Sequence, residues 1–336
     1  MNANTELYFA NEAQAKKYKR IRIIKLVAIY TFLVIGALFT LLPFYWMVAT
    51  SLKTVEEVIK IPTNFFPESP AETGFLHFFQ IGKIRDYIEY AEQANLDTSI
   101  PALKEHFNGF GNYVEVLITE AKGTTILGAI KNTLIVGVLT TVGTVTTTVL
   151  AAFAFSRLDF KGRDAIFGVL LATMMVPGEM MIITNFETVS NLGWISTYQA
   201  LIIPFIASVF YTFFLRQNFM QIPNELYYAA KVDGKTDFGY LFKVMIPIAR
   251  PAIISITILS MIGSWNAYIW PRTVAQEGSM KLVTDGIMSM FSSDTGGETS
   301  NIIMAAATLV ALPLLIAFIC FKKYIMNGVG RAGIKG

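Results

Sequence analysis

Long apolar runs separated by shorter polar segments dominate this chain. A helix that crosses the hydrocarbon core of a bilayer needs about 20 mostly apolar residues. Six segments meet this requirement, and we predict spanning helices over residues 23–51, 130–155, 165–185, 200–219, 252–274 and 302–321. The first run has no small-residue cleavage site after it, so it is interpreted as a retained helix and not as a signal peptide. The pattern therefore predicts an all-α integral membrane fold.

Basic residues are concentrated in alternate connections between these predicted spans. The N-terminal arm (1–22, with Lys25 just inside the first span), the connections after the second and fourth spans, and the tail (322–336) together hold 18 of the 27 Lys and Arg residues. Cytoplasmic loops carry an excess of Lys and Arg, whereas long external segments contribute little to orientation. We therefore expect a multi-pass protein of the cell membrane with both termini in the cytoplasm.

The composition supports a bilayer environment and excludes several other classes of protein. Hydrophobic residues make up 54% of the chain and charged residues only 15%, compared with about 25% charged in soluble domains. One cysteine, Cys320, and two histidines, His77 and His106, exclude a disulfide framework and a Cys- or His-rich metal centre. A net charge of +3 is too small to indicate nucleic-acid binding.

A long polar segment, residues 52–129, separates the first two predicted spans. It is rich in acidic residues and contains four prolines. Ile84, Tyr87, Ile88 and Ala91 recur at helical spacing, which predicts an amphipathic helix. Two interpretations remain open: the segment is an extracellular cap, or it is a surface on which an external partner docks.

The connection between the fourth and fifth spans, residues 222–250, has the signals of two short helices joined by a tight turn. Pro223 suits the first turn of a helix, where its missing N–H is not needed. The Asp233–Gly234 pair is typical of a helix end, because Gly adopts the left-handed conformation without strain. Thr236 or Asp237 can then cap the next helix. Pro247 and Pro251 are expected to end that helix and begin span five.

Small residues at Ala229 and Ala230 would allow the backbone of another protein to come close. A helix–turn–helix that protrudes into the cytoplasm could act as a lever between a moving partner and the membrane helices. This stretch resembles the EAA loop of binding-protein-dependent ABC importers, in the maltose-type carbohydrate permease family. The matching residues are Ala229, Ala230, Asp233, Gly234 and Pro247.

One position departs from that motif. Tyr228 stands where the family has Glu, and Glu225 lies one turn earlier. The resemblance implies that the loop couples the chain to an ATPase. The residues implied in this contact are Glu225, Tyr228, Ala229, Ala230, Asp233, Gly234 and Pro247.

Further blocks resemble the same family in the same order: residues 132–164, 174–186 followed by 191–204, 263–271 and 322–336. The last of these resembles the tail of the second permease of the pair. The resemblance implies a type I importer permease with six spans and a partner set of a second permease, two ABC ATPase domains and an extracellular solute-binding protein. ATP and Mg²⁺ would be bound by the ATPases, and no GxxxxGK[ST] motif occurs in this chain.

The resemblance implies alternating access and import of a sugar or oligosaccharide. A non-sugar solute, such as a phosphodiester or a peptide, remains an alternative. A secondary transporter is less well supported, because no internal repeat is visible. By the same resemblance the tail lies near the ATPase dimer interface, and its many glycines predict that it is flexible alone.

Four residues are candidates for the solute pathway. Trp265, Asn266 and Tyr268 offer flat apolar rings and an amide for a sugar, and Glu179 lies in the third span. An aromatic belt at the membrane interface, or an outer gate or packing role for Glu179, is the competing interpretation. The stripe of Thr and Gly residues in the second span favours close helix packing over pathway lining. It contains Gly137, Thr140, Thr141, Gly143, Thr144, Thr146, Thr147 and Thr148.

Overall fold

A computed structural model describes residues 12–60, 65–66, 111–118, 123–291 and 300–330. Within these residues the chain is helical, and no β-strand occurs in them. The α-helices are α1 (Glu12–Ser51), α2 (Val55–Ile59), α3 (Gly111–Ile118), α4 (Ile126–Arg157), α5 (Arg163–Thr173), α6 (Ile182–Asn191), α7 (Tyr198–Ile202), α8 (Val209–Met220), α9 (Asn224–Val232), α10 (Asp237–Tyr240), α11 (Ile246–Ile248), α12 (Arg250–Trp265), α13 (Ile269–Val274), α14 (Val283–Phe291) and α15 (Ser300–Gly330). Short 3-10 helices lie at Gly178–Met181, Ile203–Phe205 and Gly278–Met280.

Three predicted spans, the first, second and sixth, are confirmed as continuous helices that are long and apolar enough to cross a bilayer. They are α1, α4 and α15, whose most apolar 18-residue windows have mean hydropathies of 2.3, 1.9 and 2.7. Helix α4 begins one turn earlier than predicted, because Thr125 caps it by accepting a hydrogen bond from the Gly128 N–H at 3.1 Å.

The last helix extends beyond the predicted end of the sixth span at residue 321, as far as Gly330. Helix α15 continues to that residue, because Lys322–Met326 contains no Gly or Pro and mostly good helix formers. Residues 331–336 lie outside the described part of the chain, as do residues 1–11 of the N-terminal arm.

The other three predicted spans are not straight helices. The third turns by 86° between α5 and Gly178–Asn191, the fourth by 40° between Tyr198–Phe205 and α8, and the segment from Asp237 to Trp265 by 80° at Ala249. Each break lies beside a proline, namely Pro177, Pro204 or Pro251. Proline has no backbone N–H to donate and disfavours the helical conformation at the preceding residue, so it favours a break there. The predicted fifth span, 252–274, also breaks after Trp265, so that α12 and α13 are separate helices. Counting each bent pair once would give six spans.

Hydroxyl groups of α4 stabilise the break in the fourth span. The Thr144 hydroxyl donates to the carbonyl of Phe205 at 2.9 Å, and the Thr147 hydroxyl donates to the carbonyl of Ile206. Lipid offers no hydrogen bonds, so backbone carbonyls freed by a break must find partners within the protein. Gly143 allows this approach, because a Cβ there would lie only 2.8 Å from Cγ2 of Ile206. At Gly143, Thr144 and Thr147 the stripe thus serves close helix packing, as expected from the sequence.

Helix α4 lies at the centre of the described structure and packs along α8 and α12. Helix α1, by contrast, contacts the rest of the chain mainly through its C-terminal end and α15. The side chains of α1 from Lys16 to Phe44 are exposed, whereas Ala49, Thr50 and Ser51 are buried. This long apolar surface is suited to contact with lipid or with another membrane subunit.

Buried amides join the end of α1 to α3 and α15. The Asn112 side chain donates to the carbonyls of Ser51 and Lys53 at 2.9 and 2.8 Å. The Asn301 side chain donates to the Lys53 carbonyl at 3.1 Å and to Asn112 Oδ1 at 3.0 Å. Both ends of the 52–129 segment are therefore fixed to the helices beside it. Most of that segment, including the predicted amphipathic helix, lies outside the described residues.

Replacing Gly143 by Leu is expected to destabilise the chain by about 1–3 kcal/mol, because the new side chain collides with Ile206 and overpacks the helix contact. Gly168→Leu on α5 is the matched control, since nothing lies within 4 Å of a Cβ there. Thermal denaturation of both variants in detergent measures the difference. Equal melting temperatures would show that α4 does not approach the fourth span this closely.

Candidate functional site

The connection after the fourth span folds as the predicted pair of short helices. Helix α9 ends at Val232, and Gly234 takes the left-handed conformation with φ +73°. Thr236 caps α10 by accepting a hydrogen bond from the Gly239 N–H at 3.1 Å. Pro223 occupies the capping position just before α9, one residue earlier than expected, because its extended ψ of 138° lies outside the helix.

The two alanines of the motif have different surroundings. Ala229 is exposed, whereas Ala230 is only 5% exposed and belongs to a hydrophobic core within this chain. That core includes Phe153 of α4, Phe219 of α8 and Tyr240 of α10. The small side chain at 230 thus lets α9 pack on membrane helices of the same chain. The close contact that the sequence predicted with another protein is, at Ala230, a contact within this chain.

A polar cluster joins α9 to α10. The Lys231 ammonium lies 2.8 Å from Asp237 Oδ1, and the Tyr227 hydroxyl donates to the same oxygen at 2.7 Å. The hydrogen bond from Lys231, followed by that from Tyr227, holds the pKa of the Asp237 carboxyl below its ordinary value. A lowered carboxyl pKa means that Asp237 keeps its negative charge at neutral pH and loses it only as the pH falls through that lowered pKa. The cluster therefore stays formed at neutral pH.

Arg157, the last residue of α4, connects that helix to the start of the loop. Its guanidinium donates to the carbonyl of Phe219 at 2.7 Å, and also to the carbonyl of Ile222 and to Asn224 Oδ1. A cation that binds the free carbonyls at a helix end is favourable. In the sequence, Arg157 is one of the basic residues of the connection after the second span, which predict only the orientation of the chain. The signal that could have predicted this contact is the position of Arg157 at the end of a predicted spanning helix, where backbone carbonyls lack partners.

Several large apolar side chains of the loop point away from the chain. Val232 is 89% exposed, and Leu226, Tyr228, Phe238 and Phe242 are also exposed. Glu225 and Asp233 are exposed among them. Apolar groups gathered on a polar loop are typical of an interaction surface. We call these five apolar residues, 226, 228, 232, 238 and 242, the docking surface.

After α10 the chain passes through a π-helical turn, Leu241–Met245, before α11. Such turns are uncommon and are frequent at functional sites. Leu241 and Met245 are fully buried in the same core as Ala230. Pro247 lies inside α11 and does not end it, and the bend follows at Ala249. The loop is thus in direct continuity with α12 of the fifth span.

A cavity of about 330 Å³ lies where the fourth and fifth spans break. Its walls come from α4, the Ile203–Phe205 turn, α8, α12 and α13. The lining residues are Val136, Thr140, Thr144, Leu201, Phe205, Ala207, Ser208, Tyr211, Ser260, Gly263, Ser264, Ala267, Trp270, Pro271 and Leu282. None of these residues is acidic or basic.

The structure places none of the four candidate pathway residues on this cavity. Trp265 is buried in a separate core with Tyr113 and Val283. Asn266 is exposed, and its side-chain amide donates back to the Ile262 carbonyl at 3.1 Å. The aromatic residue of this segment that does line the cavity is Trp270.

The other two candidates lie at different breaks. Tyr268, half-buried, accepts a hydrogen bond from Arg272. Glu179 is exposed in the 3-10 turn that follows the break of the third span. A role of Asn266, Tyr268 or Glu179 in the pathway stays a prediction.

Apolar spanning helices, a helix–turn–helix loop and a cavity between broken spans together define a membrane transport subunit. Residues 143–331 match the family described as "Binding-protein-dependent transport system inner membrane component". This match covers more than half of the chain, which therefore belongs to that family.

Similar proteins include two curated permeases. The arabinooligosaccharides transport system permease protein AraQ of Bacillus subtilis is 35% identical over 205 residues, which are 61% of this chain and 72% of AraQ. The sn-glycerol-3-phosphate transport system permease protein UgpE of Pectobacterium atrosepticum is 27% identical over 301 residues, which are 89% of this chain and 94% of UgpE.

The fold is shared with a solved structure, that of a bacterial ABC transporter involved in the import of the acidic polysaccharide alginate. The TM-score is 0.69 at 22% identity, covering 90% of this chain and 96% of that chain. This likeness shows that the chain has the fold of an ABC importer permease.

Replacing Gly234 by Val is expected to disorder the turn of the loop, because a β-branched residue at φ +73° costs at least the 1–2 kcal/mol of the left-handed conformation. Uptake by the assembled transporter should fall, while the amount of protein in the membrane stays normal. Gly36→Val in α1 is the control, since nothing lies within 4 Å of its Cβ. Equal uptake rates in both variants would contradict a role for this turn.

Proposed function

We propose that this chain is one of two permease subunits of an ATP-driven importer for a sugar or oligosaccharide. Membership of the family supports the permease role, and the 35% identity to an arabinooligosaccharide permease supports the solute class. The observation that carries the coupling part of the proposal is the docking surface, whose Val232 is almost completely exposed on an otherwise anchored loop.

The loop 222–250 transmits movement from the ATPase to the membrane helices. The docking surface binds the ATPase, with Glu225, Tyr228, Ala229, Asp233 and Gly234 exposed on the same loop. Ala230 and Pro247 are not part of the docking surface. Ala230 packs into the core beneath the loop, and Pro247 lies within α11. ATP and Mg²⁺ bound on the partner supply the free energy, and this chain supplies the rigid connection.

In this mechanism the contacts that hold the loop against the membrane helices determine which helices move with it. Arg157 fixes the start of α9 to the ends of α4 and α8, and the π-helical turn continues towards α12. A displacement of the docked loop therefore shifts α4, α8 and α12 together. These three helices are among the elements that line the cavity, so loop movement changes access to it, as alternating access requires.

The proposed arrangement in the membrane has six spans, each bent pair counting once, with both termini in the cytoplasm and the 52–129 segment outside. The partners are a second permease, two ABC ATPase domains and an extracellular solute-binding protein. Another solved relative of this fold was determined in complex with an alginate pentasaccharide-bound periplasmic protein. A partner of that kind would meet this chain on its outer face.

One specific comparison favours a second solute class. UgpE, named for sn-glycerol-3-phosphate transport, is similar over more of this chain than AraQ is, although at lower identity. The same permease architecture would then import a phosphate ester.

Replacing Val232 by Ser tests the coupling proposal. Because Val232 has almost no contact with its own chain, the melting temperature of the isolated subunit should not change. The amount of ATPase that co-purifies should fall, because losing part of the roughly 1.5–3 kcal/mol of a buried Val side chain weakens binding about tenfold. Val169→Ser, also exposed but on α5, is the control. Unchanged co-purification would argue that the ATPase docks elsewhere.

The proposed topology can be tested by cysteine labelling, since Cys320 is the sole native cysteine. In a Cys320→Ser background, Ser69→Cys in the 52–129 segment should react in intact cells with a reagent that cannot cross the membrane. Lys235→Cys in the loop should react only after the cells are opened. Labelling of Lys235→Cys from outside would reverse the orientation proposed here.

A further inference from the structure

We propose that the basic N-terminal part of α1 binds the headgroups of anionic phospholipids. The site consists of six residues, which we call the basic collar: Lys16, Lys17, Lys19, Arg20, Arg22 and Lys25. The inference goes beyond the import function and does not depend on which solute is carried. It rests on the proposed topology only for the identity of the leaflet, which is then the cytoplasmic one.

The length of α1 determines where the basic collar lies in the bilayer. The chain has no charged residue between Lys25 and Lys53. At 1.5 Å per residue, α1 rises about 32 Å from Lys25 to Trp46, and the hydrocarbon core is about 30 Å thick. Tyr45 and Trp46 suit the opposite interface, where aromatic rings are enriched. Lys25 therefore lies at one boundary of the hydrocarbon core, and the rest of the collar lies beyond it.

A continuous helix holds the collar at this depth. Helix α1 runs without a break over Glu12–Ser51, and its first glycine and its proline are Gly36 and Pro43, far from the collar. From Lys16 to Lys25 the collar rises about 14 Å. This height matches one headgroup layer of about 5–8 Å plus a Debye length of about 8 Å at physiological salt. Every charge of the collar is therefore close enough to interact with the headgroups.

The charges of the collar surround the helix and do not form a stripe. At 3.6 residues per turn, neighbouring collar positions are about 40–80° apart around the axis. A helix that lies flat on a membrane, or docks on one protein, carries its contact residues on one face. A ring of charge suits a helix that crosses the headgroup layer and meets lipid on every side. The exposed Ile21, Ile23 and Ile24 between the charges add apolar surface for the same lipids.

The collar is not neutralised by its own chain. Its side chains are exposed, and no acidic residue occurs in the sequence between Glu12 and Glu56. Within the described residues, ion pairs are absent from five members of the collar, Lys17, Lys19, Arg20, Arg22 and Lys25. These charges are therefore available to an external anion.

The chemistry of the collar matches that of a headgroup phosphate. Arg binds phosphate oxygens through two parallel N–H donors, and Lys binds them as a point charge. Phosphatidylglycerol has a net negative charge, whereas the choline of phosphatidylcholine cancels the charge of its phosphate. One Lys or Arg near an anionic surface strengthens association about fivefold. A preference for phosphatidylglycerol over phosphatidylcholine at the collar is therefore the property to measure.

Two variants with the same four positions changed separate charge from other effects. The first removes the charges with Lys17→Gln, Lys19→Gln, Arg20→Gln and Arg22→Gln. The second keeps them with Lys17→Arg, Lys19→Arg, Arg20→Lys and Arg22→Lys, and it is the matched control. Lys, Arg and Gln have similar helix propensities, so neither variant should change the melting temperature. If the first variant does not accumulate, Lys17→Gln with Lys19→Gln gives the same test with a smaller effect.

The measurement uses the full chain in vesicles and a reporter within the collar. A fluorophore is attached at Ile21→Cys in a Cys320→Ser background, and it is quenched by spin-labelled phosphatidylglycerol or by spin-labelled phosphatidylcholine. Both leaflets have the same composition, so the orientation of the chain does not affect the result. With wild-type charges at 10 mM salt, we expect phosphatidylglycerol to be enriched at least about fivefold near the reporter.

The enrichment should approach one in the Gln variant and stay unchanged in the control. It should also disappear at 1 M salt, where the Debye length falls from about 30 Å to about 3 Å. Equal quenching by the two lipids with wild-type charges would refute the proposal and leave the import function untouched. Enrichment that persists in the Gln variant, or is lost in both variants, would show that the charge of the collar does not bind the lipid. Loss of quenching by both lipids in the assembled importer would assign the collar to a partner subunit.

Discussion

Inside a bilayer every backbone N–H and C=O group needs a hydrogen-bond partner within the protein. The whole structure depends on this constraint. Three of its apolar segments are broken helices, which would be unstable in lipid if the freed groups had no partners. The hydroxyls of Thr144 and Thr147 on α4 supply partners at one break, and Gly143 provides the space. Helix α4 is therefore central, because its hydroxyl groups and its glycine allow the fourth span to bend.

The described part of the chain joins its loop and its cavity through one set of helices. Ala230, Tyr240 and Met245 fix the loop in the core formed by α4, α8 and α12. The same helices diverge around the cavity at the other side of that core. A rigid connection of this kind transmits a displacement over a distance without needing a flexible hinge within the loop itself, in line with the coupling role proposed for it.

Local signals in the sequence predicted much of this architecture. The apolar runs located the helices, and Pro223, Asp233–Gly234 and Thr236 located the helix–turn–helix. The bends were missed although Pro177, Pro204 and Pro251 lie beside them, because a proline does not always break a spanning helix: Pro43 and Pro313 lie inside the continuous helices α1 and α15. The sequence made Trp265 a candidate for the solute pathway, but Trp270 is the indole that lines the cavity. Which indole faces the cavity depends on how α12 and α13 pack against α4, and the local sequence GSWNAYIWP does not determine that packing.

The burial of Ala230 has a consequence for how such subunits acquire partners. Since the loop is already folded against its own chain, docking requires little loss of conformational freedom, and preorganised surfaces bind with less entropic cost. The docking surface can then be altered one side chain at a time, at Val232 or Phe238, without refolding what lies beneath it. A change of ATPase partner during evolution would accordingly need few substitutions, all on the exterior of the loop.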